Sequence, residues 1–177
     1  TIEGFYKLYD QYPFLLEDSI SLANLGADFG IIGNAPVNST SNGRSYGLEF
    51  LLQQKLYKGF YGLIAYTFVR SEFQDKNENY APSSWDNRHL VSLTGGKKFT
   101  KNWEIGVRWL FTGGAPYTPF NIQETIRRQN WDVRPYGLPD YNQLNTQRIS
   151  SYHQLDIRID KKYFFRRWSL DIYIDVQ

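Results

Sequence analysis

The stretch RRWSLDIYIDVQ (residues 166–177) decides the fold class. Trp168, Leu170, Ile172, Ile174 and Val176 fall on one side of an extended chain, and Ser169, Asp171, Tyr173, Asp175 and Gln177 on the other. This period of two is that of a β-strand with one apolar face. An apolar face needs a cover, and no turn residue follows the strand, so its pairing partner is expected outside these residues.

The same pattern recurs upstream. In 45–57, Tyr46, Leu48, Phe50, Leu52 and Leu56 alternate with Gly47, Glu49, Leu51, Gln53 and Lys55. In 102–113, Trp103, Ile105, Val107, Trp109 and Phe111 alternate with Glu104, Gly106, Arg108, Leu110 and Thr112, and in 149–162 Leu155, Ile157 and Ile159 alternate with Asp156, Arg158 and Asp160. The segment 60–73 is apolar on both sides up to Arg70, and its outward face is assigned to Leu63, Ala65, Thr67 and Val69. In 87–99, Val91 and Leu93 fit the apolar face, while Gly95-Gly96 interrupts the pattern.

Seven strands result, at about 1–12, 45–57, 60–73, 87–99, 102–113, 149–162 and 167–177. Composition agrees, with 14 Tyr, 12 Phe, 5 Trp and 14 Gly, since aromatic residues favour strands and glycine favours turns. The connections alternate in length. Those at 13–44, 74–86 and 113–148 are long, whereas those near KLYKGF, TKN and YFFRR are tight. In an up-and-down meander every long connection then lies at one end of the sheet.

Transmembrane β-barrels have this polarity of short turns and long loops. A strand of about 13 residues, rising ~3.3 Å per residue at a tilt of about 45°, climbs roughly 30 Å, the thickness of a bilayer's hydrocarbon core. The assigned apolar faces carry no charge, and Trp103 and Trp168 follow tight turns, where an interfacial aromatic girdle would sit. A soluble sandwich accounts for the alternation alone, but not for strand length or for the ordered loop lengths. The expected fold is therefore all-β, an antiparallel up-and-down meander of about seven long strands that forms part of a transmembrane barrel.

Other classes are poorly supported. No run of 18 apolar residues exists, which excludes transmembrane helices. The net charge of +2, from 20 basic and 18 acidic residues, is dispersed and gives no case for a nucleic-acid partner. Zero cysteines exclude disulfides and thiolate metal sites. His89 and His153 lack a nearby second ligand, TGGKK (94–98) lacks the residues of a phosphate loop, and Asn38-Ser39-Thr40 is an isolated acceptor sequon. Asp156, Asp160, Asp171 and Asp175 alternate with apolar residues and read as a polar lumen satisfied by Arg158, Lys162 and water. No cofactor, metal site or ordered catalytic triad is expected.

The long connection after 113 is the candidate ligand site. It carries Tyr117, Phe120, Trp131, Tyr136 and Tyr141 beside Arg127, Arg128 and Arg134. Flat aromatic faces stack on sugars, and guanidinium forks grip carboxylates and chelated anions. The same residues can equally pack the loop against itself.

EGFYKLYDQYP, GRSYGLEFLLQQKL, YGLIAYTFVRSEF, SSWDNRHLVSLTGGKKFTKNWEIGVRW, TGGAPYTP and YHQLDIRIDKKYFFRRWSLDIYIDVQ occur in this order over nearly the whole chain. The set resembles the C-terminal barrel part of TonB-dependent outer-membrane receptors, in particular those with a carboxypeptidase-regulatory-like N-terminal domain. The resemblance implies a barrel of about 22 strands in the outer membrane of a Gram-negative bacterium. It also implies a plug and a TonB-binding motif, which are not among these residues. Beginning at Thr1 and containing no Met, the chain is expected to be a segment of a longer precursor. The implied function is energised import of a scarce nutrient such as a siderophore, cobalamin, oligosaccharide or peptide. The implied partners are the lipid bilayer, the remaining strands and plug, the TonB complex and a surface lipoprotein. A barrel that serves surface binding or adhesion without transport is the alternative.

Overall fold

A computed structural model describes residues 1–25, 35–133 and 137–177. Seven long strands follow one another: β1 Ile2–Leu15, β2 Val37–Tyr57, β3 Phe60–Gln74, β4 Arg88–Lys98, β5 Trp103–Thr112, β6 Tyr152–Phe164 and β7 Ser169–Val176. Each pairs antiparallel with its sequence neighbour, so the sheet order is the chain order. Two short strands, Ile20–Ser21 beside β1 and Tyr80–Pro82 beside β3, complete a nine-stranded sheet among the described residues. Among the described residues the sheet stays open, with β7 at one edge and the outer side of β1 largely unpaired at the other. This is the all-β meander expected of an incomplete barrel segment.

Turn chemistry explains the tight end. Lys58 (φ 48°) and Gly59 (φ 86°) both take positive φ between the paired Tyr57 and Phe60, the backbone of a two-residue hairpin loop that follows strand twist. A short 3-10 turn at Thr100–Asn102 and a turn closed by Phe165 N–H donating to Trp168 O (2.9 Å) make the other two. The opposite end holds the connections 16–36, 75–87 and 113–151.

Register fixes the faces. The row Tyr61, Gly96, Gly106, Arg158 and Asp175 lies on one side, and the row Gly62, Gly95, Val107 and Ile157 on the other. The polar face gathers Arg108, Asp156, Arg158, Asp160, Lys162 and Asp171, with Arg158 bound to Asp160 (2.8 Å) and Lys162 to Asp171 (3.5 Å). The apolar face carries Leu48, Leu52, Ile64, Val107, Ile157, Ile172 and Ile174, exposed along its length. Its charged residues stand at the two ends: Arg44, Arg70 and Glu72 near the long loops, Lys97 and Lys161 near the turns.

Three expectations are corrected. Leu63, Ala65, Thr67 and Val69 lie on the polar face, opposite Gln53, Leu51, Glu49 and Gly47, so the apolar face of β3 is Gly62, Ile64, Tyr66 and Phe68. A strand apolar on both sides gives periodicity nothing to distinguish, and only the partners settle it. Strand β2 begins at Val37 rather than at 45, because NSTSNGRS pairs with β1 as far as Leu15↔Val37 across a bulged register near Tyr12. Strand β6 begins at Tyr152 rather than at 149.

The small residues of that extension have a packing reason. On the polar face Ser41, Gly43 and Ser45 are buried, and the Phe73 ring covers Gly43, flanked by Tyr9 (5.3 Å) and Tyr12 (4.9 Å). Phe5 covers Gly47 and Tyr61 covers Gly96 in the same way, each ring directly opposite its glycine. A Cβ at Gly43 would sit 2.5 Å from the ring of Phe73. Gly43→Val is expected to destabilise the full-length protein by about 1–3 kcal/mol in urea unfolding. Gly106→Ala, where an added Cβ meets nothing within 4 Å, should stay within about 1 kcal/mol of wild type.

Candidate functional site

The long-loop end begins where the apolar run of β3 gives way to Arg70-Ser71-Glu72. Glu72 is nearly buried and binds Arg44 (2.8 Å) and Arg70 (2.7 Å). Asp86, fully buried, accepts from Arg70 Nε (3.1 Å) and from the backbone N–H of Ser71 (2.9 Å), while Arg148 Nη2 donates to its other oxygen. Arg88 stands at 3.8 Å from the same carboxylate. Burial of this carboxylate is tolerable because its acceptor sites are filled by charged donors. Arg148 also donates to Gly114 O (2.8 Å), so one side chain ties both roots of the 113–151 connection to β3 through Asp86.

Two asparagines join the three long connections. Asn24 Nδ2 donates to Ala81 O (3.1 Å) and Pro82 O (2.9 Å). Asn145 Nδ2 donates to Asn24 O and Pro82 O, both at 2.7 Å. Asn145 takes φ 53°, a left-handed conformation that asparagine tolerates better than most residues, and its N–H reaches Thr118 Oγ1 (3.0 Å). Beneath them Leu15, Ile20 and Leu144 form a small apolar cluster joined by Leu22, Leu25, Ala35, Ala81 and Tyr141.

Above this base the 113–151 connection has an internal structure. Pro116–Tyr117 pairs with Gln147–Arg148, and Asp140 N–H donates to Pro119 O (2.8 Å), so the chain leaves and returns at one place. Two helical turns fill the head, α1 Ile122–Thr125 and α2 Arg128–Trp131. Asn121 caps α1 by accepting from Glu124 N–H (3.1 Å), and Asn130 Nδ2 fastens α2 to Glu124 O (2.8 Å). Gly137 (φ 95°) lies under the Phe120 ring.

Of the ligand-site residues expected from sequence, Tyr117, Phe120, Arg127, Arg128 and Trp131 are exposed on this connection. Arg127 pairs with Glu124 (3.0 Å) and Arg128 stands 3.8 Å from Asp132. Tyr141 packs at the apolar cluster of the base. Arg134 and Tyr136 lie outside the described residues. The head also exposes Ile122, Ile126 and Val133, residues that its content of aromatics and arginines does not point to. The spacing of Ile122 and Ile126 at i, i+4 was the available signal. His89 Nδ1 lies 2.9 Å from the Tyr66 hydroxyl, on the apolar face beside Phe68.

A family model described as TonB dependent receptor-like, beta-barrel matches residues 1–175 of the 177. The chain belongs to this family of TonB-dependent receptors, whose members are outer-membrane transporters without catalytic activity. No curated protein and no solved structure matches the chain.

Asp86→Asn removes the charge that holds Arg70 and Arg148 in place. It is expected to lower the local opening free energy of the 113–118 and 144–151 roots by about 3 kcal/mol. Hydrogen exchange in the full-length protein should show faster labelling of those roots with the central residues of β5 and β6 unchanged.

Proposed function

We propose that the chain forms part of the wall of an outer-membrane receptor in a Gram-negative bacterium, one that captures a scarce nutrient at its long-loop end and imports it with energy supplied through TonB. The observation that carries this reading is the exposed apolar face. From Tyr46, opposite Arg70, to Tyr57, opposite Phe60 beyond a bulge after Gln54, it extends ~33 Å along the paired run of β3, or roughly 25 Å in height at a tilt of about 40°. That is the height of a barrel's lipid-facing band. Water would leave this face unsatisfied, whereas hydrocarbon covers it at no cost.

In this reading the polar face lines the lumen, the two open edges pair with further strands of the same protein, and a plug fills the interior. The tight turns face the periplasm and the long connections face the cell exterior. The head of the 113–151 connection, with Phe120, Arg127, Arg128 and Trp131, presents aromatic and guanidinium groups to a siderophore, cobalamin, oligosaccharide or peptide, Arg134 and Tyr136 of the same sequence stretch are assigned to the same task, and a surface lipoprotein is a fitting partner for the last two ligands. Tyr117 stands at its root. Tyr141 serves the site by holding the base on which the head stands.

Two experiments test the reading. In the full-length receptor Val107→Arg and Ile172→Arg place a charge in hydrocarbon at about 2–4 kcal/mol and are expected to reduce the heat-modifiable, assembled form, while Thr112→Arg on the polar face is tolerated. Equal tolerance of all three would overturn the lipid assignment. The head is removable at its neck, since Pro119 and Asp140 are hydrogen-bonded to each other. Replacing residues 120–139 by a tight turn should leave the barrel assembled and reduce nutrient uptake at least about tenfold, as expected if two or more anchoring side chains are lost. Full uptake by the assembled variant would move recognition to the plug or the other loops.

A further inference from the structure

On the apolar face, Gly62 of β3 lies directly opposite Gly95 of β4. Together they floor a trough of about 360 Å³ walled by Ile64, Leu93, Val107 and Trp109. These glycines differ from the ring-covered glycines of the polar face. At Gly43, Gly47 and Gly96 an added Cβ would collide with a ring or a carbonyl, whereas at Gly95 its nearest neighbours are Tyr61 O at 3.4 Å and Gly62 Cα at 3.8 Å, ordinary contacts. Gly95 also takes no positive φ. Gly62 is tighter, with Thr94 O at 3.3 Å from an added Cβ, but at Gly95 neither the backbone nor the packing of the sheet demands glycine. Glycine in a strand interior is unfavourable, and one with room above it marks a place that something else approaches.

One step toward the turns, ~7 Å along β4, stands Lys97 on the same face. Its ammonium lies over the rings of Phe60 (4.3 Å) and Phe99 (5.0 Å) and has no carboxylate partner among the described residues. A second hollow of about 380 Å³ opens beside it, lined by Phe99, Thr100, Lys101, Trp103, Ile105 and Ile159. Lys161 borders that hollow over Trp103 (5.2 Å) and donates to the Lys101 carbonyl. The carboxylates of this end, Glu104, Asp160 and Asp171, all stand on the polar face. The turn end of the apolar face is therefore cationic and aromatic, and the Gly62–Gly95 trough lies next to it in the band.

We propose that this face holds one anionic phospholipid of the leaflet on the turn side. Its phosphate meets Lys97 and Lys161, and an acyl chain lies in the Gly62–Gly95 trough. Charge complementarity selects the ligand, because ammonium groups without a carboxylate partner among the described residues favour an anionic headgroup at the polar boundary, and the trough next to Lys97, apolar but for Gln54 and Thr94, favours hydrocarbon. The proposal rests on the lipid-facing reading of the apolar face, and the test separates the two.

The full-length receptor is reconstituted in phosphatidylcholine discs doped with phosphatidylglycerol, released, and analysed by native mass spectrometry for retained lipid, with heat-modifiable mobility as the record of assembly. Wild type should retain phosphatidylglycerol in preference to phosphatidylcholine. Lys97→Gln should lower that retention about fivefold, Lys97→Arg should preserve it, and Gly95→Leu, which fills the trough, should abolish it. Lys98→Gln on the polar face should change nothing. An assembled wild type that retains both lipids alike overturns the site alone, as does undiminished retention in Lys97→Gln or in an assembled Gly95→Leu. Lipopolysaccharide retained in place of phosphatidylglycerol, and lost in the same variants, assigns the trough to the other leaflet's lipid and overturns it too. A wild type that inserts in no disc overturns the lipid-facing reading itself.

Discussion

The backbone hydrogen-bond ladder between neighbouring antiparallel strands is the interaction on which every other feature depends. Among the described residues the buried apolar side chains are Leu15, Ile20, Ala23, Phe73 and Leu144, and none lies on the apolar face of the sheet. A chain of this length ordinarily encloses a core between two layers, and here a single layer leaves both faces open. What fixes the strands is a run of directly opposed residues from β1 to β7, in which each backbone group finds its partner on the next strand. Such a layer is suited to hydrocarbon, where unpaired backbone groups cannot persist and apolar side chains need no protein cover.

The ladder leaves the two ends with different tasks. At the turn end, short loops with positive φ return the chain at once, and aromatics and lysines collect where the apolar band stops. At the other end three long connections converge, and their order comes from polar contacts rather than from area. Asp86 and Glu72 bind the arginines of β2, β3 and the 113–151 connection, while Asn24 and Asn145 sew backbone carbonyls together. The small Leu15–Ile20–Leu144 cluster adds the apolar component. On this hydrogen-bonded base stands a head that exposes Phe120, Arg127 and Trp131.

Much of this was legible in the sequence. Strands β5, β6 and β7 show strict alternation, and their ends fall within a few residues of where turn residues place them. Strand β3 resisted because it is apolar on both sides, and the first part of β2 because Asn, Ser and Gly are the residues of loops. Of the site, the exposed aromatics and arginines of the head were visible by composition. Asp86 was not, since it stands in SSWDNR, a stretch with no period, and its partners Arg70 and Arg148 are 16 and 62 residues away in sequence.

Alternation and turn chemistry are local properties, carried by residues one or two positions apart, so the sequence by itself determined the all-β class, the meander order and the polarity of the two ends. Register is a property of pairs. Only the tertiary structure decided that Ile64 rather than Leu63 joins the apolar face, that Phe5, Phe73 and Tyr61 each lie over a glycine on the next strand, and that Gly62 meets Gly95. The physical reason is that a shift of one residue in pairing exchanges the two faces of a strand, and a strand with apolar residues on both sides carries no local signal to forbid that shift.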